Sequence, residues 1–179
     1  VLVVGQGDDV AYGGVGSDSL RDEAGNDILD GGDAVDTADF STSAVAISIG
    51  LAASGDSYAA RGADIVTLRN IENVTGTNFN DLVFGNALSQ SLNGWSGNDI
   101  VAGFVGDDSL SGSVGDDWLY GGDGADILTG GDGLDWLVGE SGADFGSGEA
   151  GSDVFYGGLD NDVFDGGADG DYGVGQEGH

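Results

Sequence analysis

Aspartate recurs in this chain at positions 9, 18, 27, 36, 81, 99, 108, 117, 126, 135, 144, 153, 162 and 171, each a multiple of nine. Random placement of the 28 Asp residues would fill about three of the 19 such slots, so 14 filled slots mark a repeat array. A nine-residue unit cannot bury a face by itself, so it must stack on its neighbours.

The residues around each phased Asp are constrained too. Gly usually lies five and two positions before it, and an apolar residue commonly lies two after. Glycine tolerates positive φ and close backbone approach, so the glycine half of each unit is expected to form a tight turn, leaving three residues for a very short strand. Two units then make one coil with strands on alternating sides. Units 18 residues apart stack in parallel, and Leu20, Leu29, Leu92, Leu110, Leu119, Leu128 and Leu137 point into a thin shared core.

Gly13-Gly14-Val15-Gly16-Ser17-Asp18-Ser19-Leu20-Arg21 is a complete copy of G-G-x-G-x-D-x-U-x. The pattern resembles the haemolysin-type (RTX) calcium-binding repeats of secreted bacterial proteins, over residues 4–39 and roughly 71–174. The resemblance implies an all-β fold, a right-handed parallel β-roll. It also implies calcium between the turns of successive coils, held by the phased Asp carboxylates and turn carbonyls. Secretion follows as well, by a type I system reading a C-terminal signal that this segment does not evidently contain.

Charge leads to cations independently. The formal charge is −30, with Arg21, Arg61 and Arg69 as the only basic side chains apart from His179. Nothing basic is left to hold a phosphate backbone, which excludes nucleic acid as a natural partner. Self-repulsion and glycine entropy would keep the bare chain expanded. There is no Cys, so neither disulfides nor thiolate sites are available, and oxygen ligands remain. Asp pairs 18 apart number six in the odd column (9–27, 81–99, 99–117, 117–135, 135–153, 153–171) and four in the even column (18–36, 108–126, 126–144, 144–162). About ten calcium ions would bring −30 to about −10, a charge that a soluble domain carries.

The phase lapses between Asp39 and Gly76, where its slots hold Val45, Ser54, Ala63 and Glu72. Alternation over 45–49, a turn at Ser54-Gly55-Asp56 and the apolar segment 65–68 predict a β excursion or hairpin, with re-entry at 71–74. The chain is therefore read as coils over 1–39, a degenerate excursion over 40–70 and coils over 71–179, in one solenoid. Gln90 in an Asp slot, with Leu88 in place of Gly, is expected to weaken the first calcium turns after it. Trp95 and Phe104 at the second glycine position, and Asp160 and Asp169 at the last, put the local turns in question. Val1 falls in mid-repeat, so the segment is expected to belong to a longer chain, and no run of about 18 apolar residues predicts a membrane span.

Catalysis finds little support. The lone histidine is His179, the last residue, and no G-x-S-x-G elbow occurs. The carboxylates repeat evenly, without the asymmetric pair that a glycosidase needs. No catalytic residue is assigned.

The two columns differ. Triplets after the even slots are mainly polar at their flanks, as in SLR, SLN and SLS, whereas those after the odd slots are apolar on both sides, as in WLY, WLV and VFY. The outer face of the odd sheet is thus expected to carry Tyr12, Phe84, Trp118, Tyr120, Trp136, Val138, Tyr156 and Tyr172, with Trp118 and Trp136 stacked one coil apart. Such a stripe predicts self-association or docking to another domain. The function expected is a non-enzymatic, extracellular, calcium-folded structural or assembly module of surface-layer, filament or adhesin type. The alternative is the carrier region of a larger secreted protease, lipase or epimerase.

Overall fold

The computed structural model describes residues 1–175, and strands account for all its regular structure. In chain order these are β1 (Leu2–Val3), β2 (Val10–Val15), β3 (Ser19–Arg21), β4 (Ile28–Asp33), β5 (Thr37–Asp39), β6 (Ile47–Gly50), β7 (Ser57–Arg61), β8 (Asp64–Arg69), β9 (Asn73–Thr75) and β10 (Leu82–Phe84). The second half contributes β11 (Ser91–Ser96), β12 (Ile100–Val105), β13 (Ser109–Val114), β14 (Trp118–Asp123), β15 (Ile127–Asp132), β16 (Trp136–Ser141), β17 (Phe145–Ala150), β18 (Val154–Leu159), β19 (Val163–Asp165) and β20 (Tyr172–Val174).

Outside the insertion, strands alternate between two sheets. The even sheet runs β1-β3-β5-β9-β11-β13-β15-β17-β19, and the odd sheet runs β2-β4-β8-β7-β6-β10-β12-β14-β16-β18-β20. Regular coils pair in parallel at a register of 18, as in Trp118↔Trp136 and Leu110↔Leu128. This is the parallel β-roll that the period implies. The predicted core leucines, Leu20, Leu29, Leu92, Leu110, Leu119, Leu128 and Leu137, are all buried in one continuous column.

Three details depart from expectation. Most coil strands span six residues, because pairing continues through the first glycines of the turn, as in Gly122↔Glu140 and Asp123↔Ser141. Turns at the substituted glycine positions persist, with Trp95, Phe104, Asp160 and Asp169 holding φ between 78° and 83°. Each costs on the order of 1–2 kcal/mol, which the stacked coils on both sides absorb. The third is the core near the C-terminal coils, where Gly146 and Gly173 stand in core slots. Phe155 and Phe164 fill that space and stack with centroids 5.2 Å apart.

The excursion is a three-stranded antiparallel insertion, not a single hairpin. β6 pairs with β7 and β7 with β8, while β8 and β6 join β4 and β10 in parallel. β7 (SYAAR) escaped the sequence pattern because Ala and Ser give weak strand signals; its neighbours on both sides impose the conformation. In the even sheet β5 pairs directly with β9. The odd side thus inserts three strands, about 14 Å at the usual strand spacing, where the even side inserts none. Phe40, Ile47, Ile49, Leu51, Val66, Leu68 and Ile71 fill the resulting fan.

Candidate metal centres

Every phased Asp sits at the end of a turn, and its two carboxylate oxygens have different surroundings. Where a regular coil precedes the Asp, one oxygen, Oδ1, accepts the backbone N–H of the slot residue one coil earlier. Asp9 N to Asp27, Asp18 N to Asp36, Asp81 N to Asp99, Asp99 N to Asp117 and Asp117 N to Asp135 span 2.6–2.8 Å. Asp108 to Asp126, Asp126 to Asp144, Asp135 to Asp153, Asp144 to Asp162 and Asp153 to Asp171 continue the series at 2.8–3.1 Å. All ten column pairs expected from the sequence are brought together.

The other oxygen, Oδ2, is buried without a hydrogen-bond partner at Asp27, Asp36, Asp99, Asp108, Asp117, Asp126, Asp135, Asp144, Asp153 and Asp162. A buried, unpartnered carboxylate oxygen costs several kcal/mol unless a proton or cation meets it. Glycine five residues earlier makes the space. A Cβ at Gly139 would collide with Asp144 Oδ2 and with the carbonyl oxygen of Gly157 on the next coil, and Gly148 stands in the same relation to Asp153 and Gly166. Each turn thus forms a cradle with carboxylate and carbonyl oxygens on its rim.

Among the described residues no three carboxylates converge as a ready-made metal cluster. The donor set therefore fits a hard cation completed by backbone carbonyls, as calcium's six to eight oxygen ligands allow, and does not fit a compact all-side-chain cage. When bound, calcium would supply positive charge to the unpartnered Oδ2 atoms. The phased aspartates and turn carbonyls are the groups that would hold it.

Burial sets the electrostatics. Desolvation pushes Asp99, Asp108, Asp117 and Asp144 up to about 6 and Asp135 up to about 7, against the lowering effect of the backbone N–H each accepts. Asp81, Asp126 and Asp153 are raised for the same reason.

A second ladder runs beside the first and was missed in the sequence. Where Asn or Asp precedes a slot, its side chain accepts from the equivalent amide of the next coil, as in Asn80 Oδ1 from Asn98 N, Asn98 Oδ1 from Asp116 N, and Asp116 Oδ1 from Leu134 N, at 3.0–3.2 Å. The signal was the recurrent Asn or Asp at that position.

Next to the insertion the slots are satisfied differently. Asp81 accepts from Thr77 N, Thr77 Oγ1 and Ile47 N at 2.6–3.0 Å. Gln90 takes the Asp position and is self-satisfied: its Oε1 accepts from Asn86 N at 2.8 Å and its Nε2 donates to Glu72 O at 3.2 Å. Glu72, in a slot that lacked Asp, accepts from Asp36 N at 2.9 Å. Asp9, Asp18 and Asp171 sit near the ends of the described columns, half-buried. His179 lies outside the described residues.

The outer face of the odd sheet is open. Tyr12 is 65 % exposed, Trp118 44 %, Trp136 39 % and Tyr172 60 %, while Phe84, Tyr120, Val138 and Tyr156 are half-buried between neighbours. Trp118 and Trp136 stack with ring centroids 5.2 Å apart and planes 7° from parallel, and Tyr156 leans on Trp136 at 5.9 Å. The insertion does not fold over this face. Within the sheet it presents exposed Tyr58 and Ile65 beside Ser48, Ala60 and Thr67, between Ile28 and Leu82. The even face is not wholly polar either, since Ile127, Phe145 and Val163 form a short exposed row.

The family profile of the RTX calcium-binding nonapeptide repeat matches in four copies, at residues 3–38, 75–103, 102–137 and 138–172. This chain belongs to that family, and its roll is an RTX calcium-binding repeat module. The matches leave out the insertion. A comparison with curated proteins gave no match.

Proposed function

We propose that the chain is a non-enzymatic, extracellular structural module that folds on binding calcium and assembles through the outer face of its odd sheet. The observation that carries this reading is the exposed aromatic stripe centred on the stacked Trp118 and Trp136, which no other part of the described chain covers. A contiguous apolar face of this kind is uncommon on a soluble monomer and suits a flat partner, here a second copy of the chain. The family's occurrence in secreted bacterial proteins supports the extracellular setting.

Calcium coupling follows from linkage. A cation that binds only the folded roll adds RT ln(1 + [L]/Kd) at each site, so many weak sites sum to a switch. Extracellular calcium modules typically bind at about 10⁻⁴ to 10⁻³ M, so the module would stay open at cytosolic calcium and close outside.

Sedimentation velocity in millimolar calcium tests the assembly claim. The wild type should form dimers or larger species; Trp118→Ser/Trp136→Ser should bind calcium as before and sediment as a monomer. An unchanged assembly state in the double variant contradicts the reading. Monomeric wild type would favour the carrier region of a larger secreted enzyme.

A further inference from the structure

All three arginines lie between residues 21 and 69, and no Lys or Arg follows Arg69. Their placement tracks a change in how buried carboxylates are neutralised. Arg61, at the end of β7, is only 3 % exposed. Its guanidinium is paired with Asp22, donates to the carbonyl of Gly25 at 3.1 Å and lies 3.8 Å from both Asp27 Oδ2 and Asp64 Oδ2.

Asp22 occupies the position five residues before Asp27, where regular turns have glycine packed against the slot carboxylate. A second buried carboxylate has thus entered an oxygen-lined turn, and a fixed cation has entered with it. The insertion behaves as the next coil for this turn at a register of 39. Gly25 N donates to Asp64 Oδ2 and Ile65 N to Asn26 Oδ1, continuing the ladder from Asp8 and Asn26.

On the far side, Asp81 is saturated by Thr77 and Ile47, and neutral Gln90 replaces the next aspartate. Asp36 alone among the slots packed on the insertion keeps an Oδ2 with no protein group to meet it. Apolar packing is also densest here: Phe40, Ile47, Ile49, Val66 and Leu68 add to a core that elsewhere receives about one side chain per unit.

We propose that the insertion and the coils directly against it, residues 22–92, form a calcium-independent nucleus in which the Arg61 guanidinium stands in for a metal ion, and from which calcium-dependent coils grow. The regular coils from Asp99 onward have no such internal cation.

Hydrogen exchange of the full chain at neutral pH, in EGTA and in calcium, tests this. Amides of β6–β8 should stay protected in EGTA, while those between 99 and 171 gain protection only with calcium. Arg61→Gln should lose protection in β6–β8 under EGTA by about a hundredfold or more, the scale of breaking a buried ion pair, while calcium still protects 99–171 and shows that the variant folds. Arg69→Gln, which removes the half-exposed pair with Asp56, should leave the pattern intact. Loss of protection in β6–β8 together with the coils in wild-type EGTA samples, or full protection of Arg61→Gln in EGTA, overturns the proposal.

Discussion

At the residue scale, two positions in each unit carry the design: the aspartate in its slot and the glycine five residues earlier. The glycine is needed for space, since Gly139 has ordinary negative φ yet a Cβ there meets Asp144 Oδ2 and Gly157 O. Gly139→Ala should therefore lower the melting temperature of the calcium form, with a cost of about 1–3 kcal/mol, and remove calcium from the stoichiometry measured by titration calorimetry. Gly5→Ala, where nothing lies within 4 Å, should change neither. The aspartate has a double role that a single substitution separates. Asp117→Asn keeps an oxygen to accept Asp99 N–H but removes the unpaired charge. It should stabilise the roll in EGTA and weaken calcium binding, a crossed effect visible in paired thermal melts. If both melts move in the same direction, the division of labour between Oδ1 and Oδ2 is wrong.

Elements follow from the same period with one exception. The core column, the parallel register of 18 and the ten Asp pairs were legible because a strict nine-residue phase leaves no freedom in which residues stack. The contrast between WLY or WLV and SLR or SLS pointed to the exposed Trp118 and Trp136 of the odd sheet, but not to the exposed Trp95 and Phe145 of the even one. The insertion was only partly legible. Its outer strands announce themselves by alternation, but β7 takes its conformation from its neighbours. The pairing of Arg61 with Asp22 spans 39 residues, a separation set by the insertion and by nothing in the repeat. A trace existed in Asp22 itself, a carboxylate in a glycine position. Six-residue strands were unexpected because glycines that look like turn residues pair across coils first. An element-scale consequence concerns the Phe155–Phe164 stack, which uses the room left by Gly146 and Gly173. Phe155→Ala should destabilise the calcium form by about 3–5 kcal/mol in denaturant unfolding, more than truncating an exposed aromatic such as Tyr172, which should fall within about 0.5 kcal/mol. Equal effects would mean that these rings are not a packed part of the core.

The whole molecule is governed by charge. Folding stacks carboxylates into two buried columns on a chain of net charge −30, and only a cation or a proton makes that state favourable. The proton route gives a pH prediction. Burial raises Asp99, Asp108, Asp117 and Asp144 to about 6 and Asp135 to about 7 in the folded chain, above the ordinary value of 3.8 that applies when unfolded. A group raised on folding favours the folded state fully below its unfolded pKa, and that contribution is lost as pH climbs through the folded value. Metal-free chain should therefore gain β signal as pH falls from about 7 towards 4, while calcium, competing with protons for the same oxygens, should bind more weakly over that range. Absence of any acid-induced β signal in EGTA would contradict the account of the buried Oδ2 atoms.

On this reading the coils fold because calcium neutralises these columns. Far-UV circular dichroism at pH 7.5, with free calcium stepped from nanomolar in EGTA to millimolar, tests it most directly. A modest β signal from the insertion at the start should rise cooperatively to the full signal at about 10⁻⁴ to 10⁻³ M and be reversed by excess chelator. Full β signal in EGTA, unchanged across the titration, would contradict it.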